Sequence, residues 1–244
     1  MHILGLIQAG FHVVARILLL YKLLREKTCR GVSLKTQELL LLMYVARYID
    51  ILWRFDGIEA EVIKIVHIIL AGAIVGLMRF SPKVVETYDA DCDVVPRAFM
   101  IVPPVLLALV FHKMLLVVEL SHAFSWYLEA IVLIPQFVLL WRRQKYARWV
   151  LGLVILLGTE GLLDGMPYVL SWHASQSQHP YDLLAAVMQV TVYAGGLAML
   201  VLRYIEVGKP AANDEAELIA LEPGKVYEAS AFEFSEEKRP GGLV

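Results

Sequence analysis

Two pairs of ionisable residues at helical spacing stand inside apolar stretches of this chain. His12 and Arg16 are four residues apart and Arg47 and Asp50 are three apart, so each pair shares one face if its stretch is helical. Glu119, His122 and Glu129 follow in a later apolar stretch, and Glu160 with Asp164 in the next. A charge at bilayer depth costs about 2.5–3.5 kcal/mol on insertion scales, so such groups face a bundle interior, a water-filled cavity or one another. Together they supply cations and carboxylates able to line one polar cavity opening outward. A permanently charged arginine in such a cavity suits an anionic ligand, because guanidinium forms paired hydrogen bonds to a carboxylate. The plainer reading pairs Arg47 with Asp50 near the outer boundary and leaves His12 a satisfied buried imidazole. Beside Arg16 and opposite carboxylates, however, His12 is a candidate to exchange a proton between about pH 5 and 8.

The elements that position these residues follow from composition. Of 244 residues, 59% are hydrophobic and 19% charged, and the mean hydropathy is +0.63, so lipid is the expected main solvent. A spanning helix takes roughly 20 apolar residues, which leaves room for short loops and a tail but for no large soluble domain. Seven runs qualify: Ile3–Leu23, Thr36–Trp53, Val62–Met78, Ala98–Phe111, Leu116–Leu140, Val150–Val169 and Tyr181–Leu202. The first resembles a secretory signal only in length, since it lacks a basic start and is followed by Lys22 and Arg25; it is expected to be retained. The expected fold is therefore an all-α integral membrane bundle of seven transmembrane helices over residues 1–207, followed by a separate tail, 208–244.

Positive charge fixes the expected orientation. Arg25, Lys27, Arg30 and Lys35 occupy the first loop, Arg79, Lys83 and Arg97 the third, and Arg142, Arg143, Lys145 and Arg148 the fifth. Arg203 and Lys209 follow the last run, whereas the alternate loops hold only Arg54 and Lys113. Lysine and arginine near span ends stay cytosolic, so the odd-numbered loops and the carboxy terminus face the cytosol and the amino terminus the lumen. Cys29 and Cys92 then lie on the reducing side, where no disulfide is expected. His173 and His179, in a loop without lysine or arginine, read as solvated polar groups.

After Gly208 the chain turns to Ala, Glu, Pro, Gly and Ser, a composition expected to stay disordered. Within it Asp214, Leu218 and Ile219 fit an acidic dileucine pattern of the kind read by vesicle adaptors. Gly72 with Gly76 and Gly161 with Gly165 are spaced to let helices approach closely, and Pro103, Pro104, Pro135 and Pro167 lie within or at the ends of spans. No nucleophile elbow, metal-ligand spacing, phosphate-binding glycine loop or His-Glu-x-x-His helix occurs, and no basic face exists for nucleic acid. Neither an enzyme nor a metal or cofactor site is expected.

In chain order, His12, Leu18-Leu19-Leu20-Tyr21-Lys22, Cys29-Arg30-Gly31-Val32-Ser33-Leu34-Lys35-Thr36-Gln37 and Ala46-Arg47-Tyr48-Ile49-Asp50 resemble the first third of the ER lumen protein-retaining (KDEL) receptor family. Thr87-Tyr88-Asp89, Val102-Pro103, Glu119, Ser125, Tyr127-Leu128-Glu129 and Pro135-Gln136 continue the resemblance nearly without gaps. It implies a bundle of two three-helix repeats plus a linking helix, akin to PQ-loop and SWEET transporters. It also implies a receptor that captures escaped lumenal proteins by a carboxy-terminal tetrapeptide in the acidic Golgi. Coated vesicles, through coat and adaptor proteins on the cytosolic side, then return receptor and cargo to the ER, where neutral pH releases the cargo. By the same resemblance Arg47 clamps the terminal carboxylate with Tyr48 beside it, Asp50 and Glu119 surround the signal's first residue, and Glu129 with His12 belongs to a pH-linked network.

The sequence also departs from the family. Gly5 stands where an arginine is expected, His122 where a tryptophan is, and Leu157-Gly158-Thr159-Glu160-Gly161-Leu162-Leu163-Asp164 brings carboxylates where the family has a Tyr-Arg pair. An acidic tetrapeptide meets repulsion there unless Arg16, unusual for the family, compensates or protons neutralise the carboxylates. Two other readings stay open. One is a small-solute transporter on the same repeat, with Glu129, Glu160, Asp164 and His12 as a proton path. The other is a receptor-derived adaptor whose tail carries the function.

Overall fold

The computed structural model describes residues 2–52, 57–112, 114–143, 148–171 and 180–207. The tail, with Asp214, Leu218 and Ile219, lies outside the described residues, as does the loop carrying His173 and His179. Among the described residues every regular element is helical. They are α1 (His2–Glu26), α2 (Leu34–Arg47), α3 (Ile58–Phe80), the short α4 (Pro82–Val85), α5 (Arg97–Val110), α6 (Val117–Ile131), α7 (Ile134–Arg142), α8 (Arg148–Ser171) and α9 (Pro180–Val207). Each of the seven apolar runs is thus helical. Four stretches are long and apolar enough to cross a membrane, namely Ile58–Phe80, Val117–Arg142, Trp149–Leu170 and Asp182–Arg203, while Arg97–Val110 is apolar but shorter. The result is a helical membrane protein. Its outward positions match lipid as solvent: Ile58, Phe80, Phe99, Val110 and Leu170 are all exposed.

Local sequence sets the element ends. Ser33 caps α2 by accepting the Thr36 amide at 3.0 Å. The second run does not stay α-helical to its end; α2 stops at Arg47, and Ile49–Leu52 form a 3₁₀ turn. The fifth run is likewise two helices, α6 and α7, because Pro135 sits in the first turn of α7 and cannot continue the ladder of α6.

Helix α2 packs between α3 and α6, α1 lies against α3 and α8, and α5 against α6. The shared core includes Leu39, Met43, Ile74, Met78, Leu128 and Leu140. The glycine expectation divides. A Cβ on Gly161 would fall 2.2 Å from the Tyr193 ring, and one on Gly165 would fall 3.1 Å from Val190, so α8 and α9 do approach through these positions. Around Gly72 and Gly76 no described atom of another element lies within 4 Å of such a Cβ, so spacing alone misassigned that pair as a close-approach site. Gly161→Ala is expected to cost about 1–3 kcal/mol of stability by overpacking against Tyr193, read as a lower unfolding temperature of the purified protein; Gly72→Ala, with room for its Cβ, should raise that temperature slightly, since alanine stabilises a helix interior by about 0.5–1 kcal/mol over glycine.

The amino-terminal end of α2 is tied down by polar contacts from α7 and from the stretch between α4 and α5. Gln136 accepts the Ser33 amide at 2.8 Å and donates to the Gly31 carbonyl at 2.8 Å. Asp89 accepts the Gly31 amide at 2.7 Å and pairs with Arg143 at 2.5 Å. Asp93 accepts from the Ser33 hydroxyl at 2.8 Å and the Tyr88 hydroxyl at 2.6 Å, and its backbone carbonyl accepts from Lys35 Nζ. Gly31 adopts φ +83°, and a Cβ there would also meet Arg143 Nη1 at 3.1 Å, so this position needs glycine twice over. Burial, and then the bond to Asp93, push the Tyr88 hydroxyl up from its ordinary pKa. Burial likewise raises the Cys29 thiol, whose Sγ donates to the Val84 carbonyl at 3.2 Å. Cys29 and Cys92 are both free thiols.

Candidate ligand-binding site

The opposite end of α2 carries the charged cluster, roughly 20 Å away at 1.5 Å per residue over a 14-residue helix. Arg47 ends α2 and points at α6. There Ser125 and Glu129, four residues apart, present one face to it: Arg47 Nη2 lies 2.5 Å from Glu129 Oε2, and Arg47 Nε donates to Ser125 Oγ at 3.3 Å. Ser125 passes its own hydroxyl hydrogen to the His122 carbonyl at 2.7 Å. The guanidinium also stands 5.8 Å from the centre of the Trp126 ring. From α9, the Tyr193 hydroxyl donates to the Glu129 backbone carbonyl at 2.8 Å. Glu129 is thus held by side chain and backbone, at 4% exposure.

A second guanidinium lies deeper. Arg16, 2% exposed, donates from Nη2 to the Tyr44 hydroxyl at 2.8 Å, and its Cζ sits 4.4 Å from the centre of the same ring. Its Nε and Nη1 have no hydrogen-bond partner among the described residues. The Tyr44 ring continues a stack, with Tyr48 at 5.9 Å and His67 at 5.2 Å between centroids. Glu160, 5% exposed, is within electrostatic range of Arg16, Arg47 and Glu129, and Asp164, one turn further along α8, is within range of Arg47, Glu129 and Glu160.

The expected residues are therefore partly gathered and partly separated. Arg16, Arg47, Glu129, Glu160 and Asp164 form one cluster, with Tyr48 at its edge. Asp50 is not Arg47's partner, contrary to the plainer reading. Because α2 ends at Arg47, α-helical periodicity does not carry on to Asp50, and the 3₁₀ turn delivers its carboxylate to Lys64 of α3 at 3.0 Å. Lys64 also pairs with Glu61 at 3.0 Å. His122 is exposed, its ring 6.1 Å from that of Trp126, and Glu119 stands half-buried in the first turn of α6. His12 belongs to α1, but its side chain lies outside the described residues.

Sequence reasoning missed Lys64, Tyr44 and His67. Lys64 and His67 carried a signal, as polar residues within the apolar run Val62–Met78, whereas Tyr44 carried none, since an aromatic in an apolar helix reads as core. Among the described residues no group of three or more His, Cys, Asp or Glu side chains is placed to hold a metal ion.

Fold and site define a helical membrane protein whose interior holds a buried ion pair, Arg47 with Glu129. The family described as ER lumen protein retaining receptor matches residues 28–173, well over half the chain, and the chain belongs to it. It is 35% identical over 162 residues to ER lumen protein-retaining receptor A of Arabidopsis thaliana, covering 66% of this chain and 73% of that one. Against the ER lumen protein-retaining receptor of Petunia hybrida it is 34% identical over 188 residues, or 75% of this chain and 86% of the relative. Against that of Drosophila melanogaster it is 32% identical over 186 residues, or 75% and 85%. The family is one of receptors and not of enzymes, and nothing in these matches favours a solute transporter.

Proposed function

We propose that this chain binds carboxy-terminal, KDEL-like retention signals of lumenal ER proteins in a pH-dependent way and retrieves them from Golgi to ER. The observation that carries the reading is Arg47, a guanidinium at 18% side-chain exposure whose anionic partner, Glu129, is itself titratable. A signal's terminal carboxylate competes with Glu129 for that guanidinium. Glu129 and His12 are assigned to the pH-linked network that yields this guanidinium to the signal in acid and takes it back at neutral pH. His12, protonated in the same range, adds attraction in the same direction.

Around this centre the reading assigns Tyr48 and Arg16 to the carboxylate end of the signal, and Asp50, Glu119 and His122 to its first residue. Lys64 is then an internal cation that the signal's first residue displaces from Asp50. The chain crosses the membrane seven times as two three-helix repeats plus a linking helix, over residues 1–207, with a lumenal amino terminus. The acidic tail, 208–244, is cytosolic, and Asp214, Leu218 and Ile219 offer it to vesicle coat or adaptor proteins. The positive-charge asymmetry of the loops supports this orientation.

The test is direct binding of tetrapeptides to the purified chain. A peptide with a free carboxylate should bind at least about tenfold more tightly near pH 5.5 than near pH 7.4, and its carboxamide should not bind at either. Equal affinity at both pH values would remove the retrieval cycle.

A further inference from the structure

One carboxylate draws two arginines together at the end of α2 opposite Arg47. Glu38, one turn into α2 and half-buried, pairs through Oε1 with Arg79 in the last turn of α3 and through Oε2 with Arg97, the first residue of α5. The two guanidinium groups therefore stand side by side, with side-chain exposures of 56% and 47%. Arg79 spends Nη1 on Glu38 and Arg97 spends Nε, and their other donors make no hydrogen bond to a described residue. Lys83, exposed on α4, lies in the same stretch, as do the exposed acids Glu86 and Asp91. Asp93, also near Arg97, is already engaged by Ser33, Tyr88 and Lys35.

What lies beside the pair is apolar and faces outward. Phe80 follows Arg79 and is exposed, and Phe99, Val102, Leu106 and Leu109, three or four residues apart, form an exposed stripe along α5 that begins next to Arg97. Helices α2 and α5 begin and α3 ends here, so the pair sits where the chain leaves the hydrocarbon. A lipid satisfies both surfaces at once, its headgroup at the cations and its acyl chains along the stripe. Guanidinium forks match phosphate oxygens with paired hydrogen bonds, and basic pockets between membrane helices take anionic headgroups. We propose that Arg79 and Arg97, held at their spacing by Glu38, form a binding site for the phosphate headgroup of an anionic lipid. A phosphate monoester, carrying about −1.5 to −2 charges near neutral pH, suits two forks better than the single charge of a diester. On the orientation proposed above, the site faces the cytosolic leaflet, where anionic lipids concentrate.

The experiment titrates the full chain, purified in detergent, with dioctanoyl phosphatidylinositol phosphate, dioctanoyl phosphatidylcholine and the free headgroup inositol bisphosphate, with binding read by calorimetry. The phosphoinositide is expected to bind at least about tenfold more tightly than either of the others, and the Arg79→Gln, Arg97→Gln double variant to lose that advantage. Phosphatidylcholine bound as tightly as the phosphoinositide overturns the proposal, because the charges then select nothing. The free headgroup bound as tightly overturns it too, by assigning the arginines to a soluble phosphate compound. A double variant that keeps the preference places the site elsewhere and has the same consequence. Should that variant fail to fold, the ranking in the unaltered protein decides. None of these measurements involves a retention signal, so the proposal and the receptor reading fail separately.

Discussion

Arg47→Ala is expected to abolish measurable binding of any peptide with a free carboxy terminus, a loss of at least about a hundredfold, and to destabilise the protein by about 3–5 kcal/mol. Both effects have one origin. Removing the guanidinium takes away the ligand's anchor and deprives the Glu129 carboxylate, 6% exposed at its side chain, of the cation 2.5 Å away. Arg47→Lys keeps the charge but not the fork that reaches Ser125 and Glu129 together, and should show a partial loss of affinity. Peptide titration and thermal unfolding followed by tryptophan fluorescence measure the two effects. Unchanged peptide affinity in Arg47→Ala would exclude this residue as the anchor.

The second large effect is expected at the other end of α2. Gln136→Ala removes an acceptor from the Ser33 amide and a donor from the Gly31 carbonyl, in a region where Ser33 is 0% and Gln136 3% exposed. Each orphaned buried group costs about 1–3 kcal/mol, so the variant should unfold at a much lower temperature or fail to accumulate. Gln136→Glu, whose carboxylate accepts from Ser33 but cannot donate to Gly31, should lie between. Peptide affinity of whatever folds should stay within about tenfold of the parent, because the two ends of α2 are separate. A loss as large as that of Arg47→Ala would instead show that the two ends are energetically coupled.

The helices were legible in the sequence because lipid forces long apolar runs, and the seven runs do coincide with helices. Their ends were not. Whether the second run remains α-helical as far as Asp50 depends on how α2 meets its neighbours, and the 3₁₀ turn there redirects one carboxylate from Arg47 to Lys64. Arg47 and Glu129 were both singled out, yet their partnership joins residues 82 apart, which no short-range spacing encodes. Gly72 and Gly76 share the spacing of Gly161 and Gly165, and only packing shows that Tyr193 lies over Gly161 and Val190 over Gly165 while no described atom of another element comes near the other pair. Gln136 was visible as part of the Pro135-Gln136 resemblance, but its role rests on backbone groups of a loop more than a hundred residues earlier.

The bend between α6 and α7 bears on how the chain is made. The Glu129 carbonyl, in the last turn before the bend, takes a stretched 3.4 Å bond from the Val132 amide and a 2.8 Å bond from the Tyr193 hydroxyl. Tyr193 arrives with α9, the last of the described helices in chain order, and a hydrocarbon surrounding offers no solvent donor in the interval. Truncation before Tyr193 therefore leaves the centre of the α6–α7 segment with only the stretched Val132 bond at that carbonyl. A chain cut short there is expected to be a substrate for quality-control proteolysis even though every earlier span has been translated.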